Sequence, residues 1–235
     1  MGAMPLTPAD TALDPGLVHL TAADDTTLTG ARSRRATALH HLVADVIADR
    51  AGTTYWLDAR NAASTYALQE TLGPERLATV QVARAFTAYQ HHELVRHTVR
   101  EIDDPALVVA PNVAALYRDD DVPTHETGPL FEATLTTLQA LAHAATVPVV
   151  VTAAGDDDLA ASVATTAEDT LTVEATRCGL RVAGTDHETQ LYRDRTGWQT
   201  TVPYWVDLFG AVDRDPGCAP RPPAGVTPDL AEVLD

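Results

Sequence analysis

Gly30-Ala31-Arg32-Ser33-Arg34-Arg35-Ala36-Thr37 keeps the spacing of the phosphate-binding pattern G-x-x-x-x-G-K-[ST], and a helix-like run, Ala38-Leu39-His40-His41-Leu42, follows it. Two positions break the pattern: Arg35 stands where the second glycine belongs, and Ala36 where the lysine belongs. A loop of this kind holds nucleotide through close approach of backbone N–H groups plus one ammonium on the terminal phosphates. Arg35 puts bulk where only a hydrogen fits, and Ala36 removes the charge. Thr37 keeps the hydroxyl position. One glycine and one threonine at this spacing are common by chance, so the elements around them decide what the stretch means.

Those elements alternate. Thr26-Thr27-Leu28-Thr29 reads as a short strand entering the loop, and residues 38–50 as a helix with Leu39, Leu42, Val43, Val46 and Ile47 on one face. Gly52 ends that helix. Strand-like runs follow at 53–58, 78–83, 105–110 and 147–152, separated by helical patterns at 64–72, 88–102 and 130–145. Short apolar strands between helices predict an α/β fold with a mostly parallel central sheet covered on both faces. Residues 171–204 alternate polar and apolar positions between Gly-containing turns, which predicts antiparallel strands at the C-terminal end. The domain reading is an N-terminal extension at 1–25, one core at 26–212 and a Pro/Gly-rich tail at 213–235.

Composition narrows the class. The chain of 235 residues is long enough for one sizeable core. It contains no run of about eighteen apolar residues, so no membrane span or membrane partner is expected. No basic segment leading into an apolar one opens the sequence, and Cys178 and Cys218 are too few for a disulfide framework. A reducing, cytoplasmic setting is the expectation. There is no lysine: all 16 basic residues are arginine, against 33 acids, for a net charge of -17. This balance resembles that of proteins from extreme halophiles, in which molar salt screens the self-repulsion of an acidic surface.

The order of motifs is similar to the RecA/RadA recombinase core. Tyr55-Trp56-Leu57-Asp58 resembles the strand that ends there in Asp-Thr-Glu, and Val82-Ala83-Arg84-Ala85-Phe86 resembles the archaeal segment V-A-R-A-[YF]. Ala106-Leu107-Val108-Val109-Ala110 resembles the Walker B strand, and Val149-Val150-Val151-Thr152 a strand that continues into Asn-Gln. Arg177-Cys178 through Tyr192-Arg193 resembles the end of that core, so the likeness spans roughly residues 26–205. It implies a RecA-like P-loop fold, with a parallel sheet between two helical layers and antiparallel strands at its C-terminal end.

Carried over residue by residue, the resemblance also implies a nucleotide site without its chemistry. The lysine position is Ala36, the catalytic glutamate position Arg60, the Walker B aspartate Ala110, and the Asn-Gln sensor Ala153-Ala154. Thr37 and Asp58 remain. The degenerate site thus comprises Gly30, Arg32, Arg34, Arg35, Ala36, Thr37, Asp58, Arg60 and Ala110. Phosphoryl transfer rests on positioning and charge stabilisation, so losing metal holder, lysine and base together leaves little. No catalytic residue, cofactor or metal is expected. Adjacent pairs such as His40-His41 and His91-His92 point in different directions on a helix, which argues against a zinc site.

In the family, two loops face DNA, and the corresponding spans are 117–129 and 155–170. No Lys or Arg occurs from Asp119 to Thr176, so these spans repel phosphate and DNA binding in the recombinase manner is disfavoured. Three functional expectations remain. The first is a non-catalytic partner or regulator of an active RadA-type recombinase in recombination or repair. The second is a DNA-binding accessory factor using the Arg32–Arg35 loop, where arginines at a helix start favour anions. The third is an ATP-binding RecA-like protein with an unorthodox nucleotide site.

Overall fold

The computed structural model describes residues 13–22, 38–60, 65–176, 179–184, 188–194 and 197–200. In chain order the elements are β1 (Gly16–Ala22), α1 (Ala38–Asp49), β2 (Thr53–Ala59), α2 (Thr65–Leu77), β3 (Val80–Ala85) and α3 (Ala88–Glu101). They continue with β4 (Pro105–Ala110), a 3-10 turn (Ala115–Arg118), α4 (Thr124–Ala145), β5 (Pro148–Val151) and α5 (Asp158–Thr166). Four strands close the described chain: β6 (Asp169–Thr176), β7 (Gly179–Ala183), β8 (Glu188–Asp194) and β9 (Gly197–Thr200).

All of these strands join one sheet in the order β3-β2-β4-β5-β1-β6-β7-β8-β9. Pairing is parallel from β3 through β6 and antiparallel from β6 to β9. The expected α/β architecture, mostly parallel with antiparallel strands at the C-terminal end, is therefore present.

Crossover handedness assigns the helices to faces. From β1 the chain steps past β5 and β4 to β2, then outward to β3. From β3 it returns inward to β4, β5 and finally β6. Right-handed crossovers in opposite directions place their helices on opposite faces. Accordingly, α1 and α2 pack on one side with Val18, Leu20, Trp56, Leu107, Val109 and Val150. On the other side, α3, α4 and α5 pack with Leu17, Leu57, Val108, Val149 and Val151. Neighbouring residues of one strand feed different cores, so the central strands read as continuous apolar runs. Gly52 (φ 121) sits at the tight entry to β2, where a β-carbon would lie 2.7 Å from the Asp104 carbonyl oxygen. That carbonyl accepts the Thr53 N–H at 2.8 Å, so only glycine lets the strand start there.

Three elements differ from the sequence expectation. Residues 16–22, assigned to the extension, form β1 in the middle of the sheet, whereas the strand expected at 26–29 lies outside the described residues. Helix α4 starts at Thr124 rather than Leu130 and runs through Pro129. Pro129 and His125, whose carbonyl loses a donor there, are both exposed, so water can serve that carbonyl. Within 155–170, expected as a loop, α5 occupies 158–166, and its N-cap Asp157 accepts the Ala160 N–H at 3.0 Å. The helix predicted to end at Leu72 does break there: Gly73 has φ 71, and residues 74–77 form a separate turn. The tail at 213–235 lies outside the described residues.

Phe131, Leu135 and Leu138 bury one face of α4 fully or almost fully. Leu138→Ala should cost about 2–5 kcal/mol through lost transfer energy and the cavity left behind. The exposed Thr136→Ala on the same helix should cost less than about 0.5 kcal/mol. Urea denaturation midpoints of the two variants check this.

Candidate functional site

In open α/β sheets ligands bind beyond the carboxyl ends of the strands, where neighbouring strands send their helices to opposite faces. Here that condition holds between β1 and β5, between β2 and β4, and between β2 and β3 at the sheet edge. The connection from β1 to α1 carries Gly30, Arg32, Arg34, Arg35, Ala36 and Thr37, all outside the described residues. The other site residues are described.

Asp58 is fully buried near the end of β2, on the face covered by α1 and α2. It lies opposite Arg84 of β3 in the strand register and accepts a hydrogen bond from Arg84 Nε at 2.6 Å. A buried carboxylate without a charge partner would cost several kcal/mol, roughly 3–5 when one partner is removed. Arg60 follows β2 with φ 59 and forms an ion pair with Asp119. Ala110 ends β4 and is fully buried within the α3–α5 core, packed as an ordinary apolar side chain.

Ala110, β5 and the residues after β4 are stitched together. Thr152 N–H donates to the Ala110 carbonyl at 3.4 Å, and Val113 N–H to the Thr152 carbonyl at 2.9 Å. Asn112, left-handed at φ 51, donates its N–H to Thr152 Oγ1 at 2.7 Å. Beyond Ala153 and Ala154, Gly155 turns the chain with φ 88 toward α5. Arg118 braces this turn. Its Nε and Nη2 donate to Asp157 at 2.6 and 2.8 Å, and Nη2 also donates to the Ala154 carbonyl at 2.6 Å. The Arg118 hydrogen bond is the main reason the Asp157 carboxyl is pulled down to about 2.

The two spans expected to face DNA are therefore folded and joined to one another. Residues 117–129 contain the end of the 3-10 turn and the first turns of α4, and residues 155–170 contain α5. The pair Arg118–Asp157 ties the first to the second. Sequence reasoning missed Arg84, Arg118 and Asp157. Asp157 carried a signal, an acid just before Asp158-Leu159-Ala160, which suits a helix N-cap.

Beneath the 3-10 turn lies a buried polar chain that sequence reasoning also missed. Thr134 Oγ1 donates to the Leu130 carbonyl at 2.9 Å. Its single proton is thereby used, so it accepts from Tyr117 OH at 2.8 Å and from His92 Nδ1 at 2.8 Å. Tyr117, in turn, accepts from His91 Nδ1 at 3.1 Å. Both histidines therefore carry their proton on Nδ1, and the buried, bare His91 Nε2 has no hydrogen-bond partner among the described residues. Burial lowers His91 to about 4, with a smaller contribution from His92. Burial alone lowers His40 to about 4 and also lowers His19. Among the described residues, no three His, Cys, Asp or Glu side chains converge as a metal set. No helix in the described residues is long and apolar enough to cross a membrane.

No protein-family model and no curated protein matches the chain.

The buried histidines make a signed pH prediction. Each has its folded pKa below the unfolded value of 6.5. Between those limits the unfolded chain binds more protons, so stability is full above pH 6.5 and falls as pH drops toward 4. His91 alone contributes about 2 kcal/mol to the difference between pH 7 and pH 4.5. His91→Gln, which keeps a polar group facing Tyr117, should shrink that difference by this amount in urea titrations at the two pH values.

Proposed function

We propose that this chain is a non-catalytic RecA/RadA-like protein that partners or regulates an active RadA-type recombinase in recombination or repair. The observation that carries the reading is the state of the positions at which the resemblance locates nucleotide chemistry. Ala110 is core packing, Arg60 is engaged by Asp119, and Asp58 is balanced by Arg84. Among these three positions only Asp58 carries a carboxylate, and Arg84 already pairs with it. Turnover of nucleoside triphosphate requires a metal holder and a base together, whereas a partner of an active recombinase requires only a stable framework.

The topology supports the same reading. The motif-bearing strands β2, β4 and β5 lie side by side with β1, with switch points between β1 and β5 and between β2 and β4. DNA capture in the recombinase manner remains disfavoured, because spans 117–129 and 155–170 are acidic and tied together. The arginines at 32, 34 and 35 are the densest basic segment of the sequence and the natural contact for an acidic partner surface.

The direct test mixes the purified protein with a RadA-type recombinase from a halophilic archaeon in molar KCl and follows complex formation by size-exclusion chromatography. A stable complex is expected, with ATP hydrolysis by this chain alone at buffer background. Charge reversal at Arg32 and Arg34 together should weaken the complex about tenfold or more, the scale of one lost charge-assisted contact. Absence of any complex, together with single-stranded DNA binding lost in the same variant, would instead identify an accessory DNA-binding factor. A nucleotide-dependent thermal shift would point to an unorthodox ATP site. The acidic surface gives a further expectation: raising KCl from about 0.2 to 2 M should raise the melting temperature, because screening removes self-repulsion.

A further inference from the structure

Helix α5 has a thin hold on the body of the protein. Only Val163 among its nine residues is buried. Its C-terminal end is held by Gln139, which donates to the Thr166 carbonyl at 3.4 Å, and by Glu168 N–H, which bonds the Leu17 carbonyl at 2.8 Å. Its N-terminal end is held by Asp157, and Asp157 by Arg118. The N-terminal end of α5 is thus attached through the turn that carries Arg118.

That turn is fastened by three successive residues in three directions. Tyr117 reaches inward to His91 of α3 and Thr134 of α4 through the buried hydrogen-bond chain. Arg118 reaches across to Asp157 and to the Ala154 carbonyl. Asp119 reaches back to Arg60 at the end of β2. Exposed ion pairs contribute little singly, about 0.2–1 kcal/mol. Here one carboxylate accepts two guanidinium N–H groups and caps a helix at the same time, so the two effects are coupled.

We propose that residues 115–119 form a built-in latch that fastens the β5–α5 connection and α5 to the α3–α4 layer, so that the segments after β4 and after β5 open as one unit.

Hydrogen–deuterium exchange of the full chain tests it. Arg118→Gln and Asp157→Asn, which keeps a capping oxygen, should each quicken exchange of the Ala161–Thr166 amides about five- to thirty-fold. Tyr117→Phe removes only the buried hydroxyl, yet it should quicken the same α5 amides, because the latch transmits the loosened anchor. Arg96→Gln, which removes the local pair with Glu93 on α3, should leave them unchanged. Circular dichroism verifies that each variant is folded. Wild-type exchange in α5 for Arg118→Gln would overturn the latch. So would Tyr117→Phe that loosens α3 and α4 without moving α5, or equal quickening in Arg96→Gln.

Discussion

The parallel pairing of β1 with both β5 and β6 is the constraint on which the rest of the molecule depends. A strand inserted there can be reached only by crossovers, and the directions of those crossovers divide the helices between the two faces. The same insertion places the end of β1 beside the end of β5, where one connection leaves toward α1 and the other toward α5. A crevice at that point is a consequence of topology and requires no particular side chain. Its chemistry, in contrast, is entirely a matter of which residues stand at the strand ends.

At those ends the chain has matched its cations to its anions. Arg84 meets Asp58, Arg60 meets Asp119, and Arg118 meets Asp157. In a protein with a net charge of -17, cations in this region have carboxylates as ready partners. The three pairs differ in weight. Asp58 is wholly buried, so its pair mainly offsets a desolvation penalty, whereas the other two are partly open to water and act by fixing geometry. Any further anion entering here would have to compete with carboxylates already in place.

Much of the fold was legible because burial on both faces leaves an apolar signature. Leu107-Val108-Val109 and Val149-Val150-Val151 lack the alternation of a half-exposed strand and lie between clear helical patterns. β1 was not legible for a physical reason: Pro15 precedes it, Gly16 opens it, and His19 interrupts Leu17-Val18 and Leu20, although that histidine is buried. Nor was α5, whose single buried residue gives no periodicity. At the candidate site, the residue types at 58, 60 and 110 were readable, but their partners were not. Asp58 and Arg84 are 26 positions apart, and Arg118 and Asp157 are 39 apart, so only the sheet register and the packed turn bring them together. The buried chain from His91 to Thr134 was hidden in the same way, since adjacent histidines alone do not reveal which neighbours will satisfy them.

The division into two cores has a further consequence. The sheet is a shared wall: Leu42 and Val46 lie on one side, and Leu135 and Leu138 on the other, with no side chain common to both clusters among the described residues. Among the described residues, damage confined to one layer reaches the other through the strand backbones. Energetic losses in the two layers should therefore sum almost independently, whereas losses within one layer should interact. The molecule can consequently drift in sequence on one face while the other preserves its packing, as two half-proteins that share a single spine.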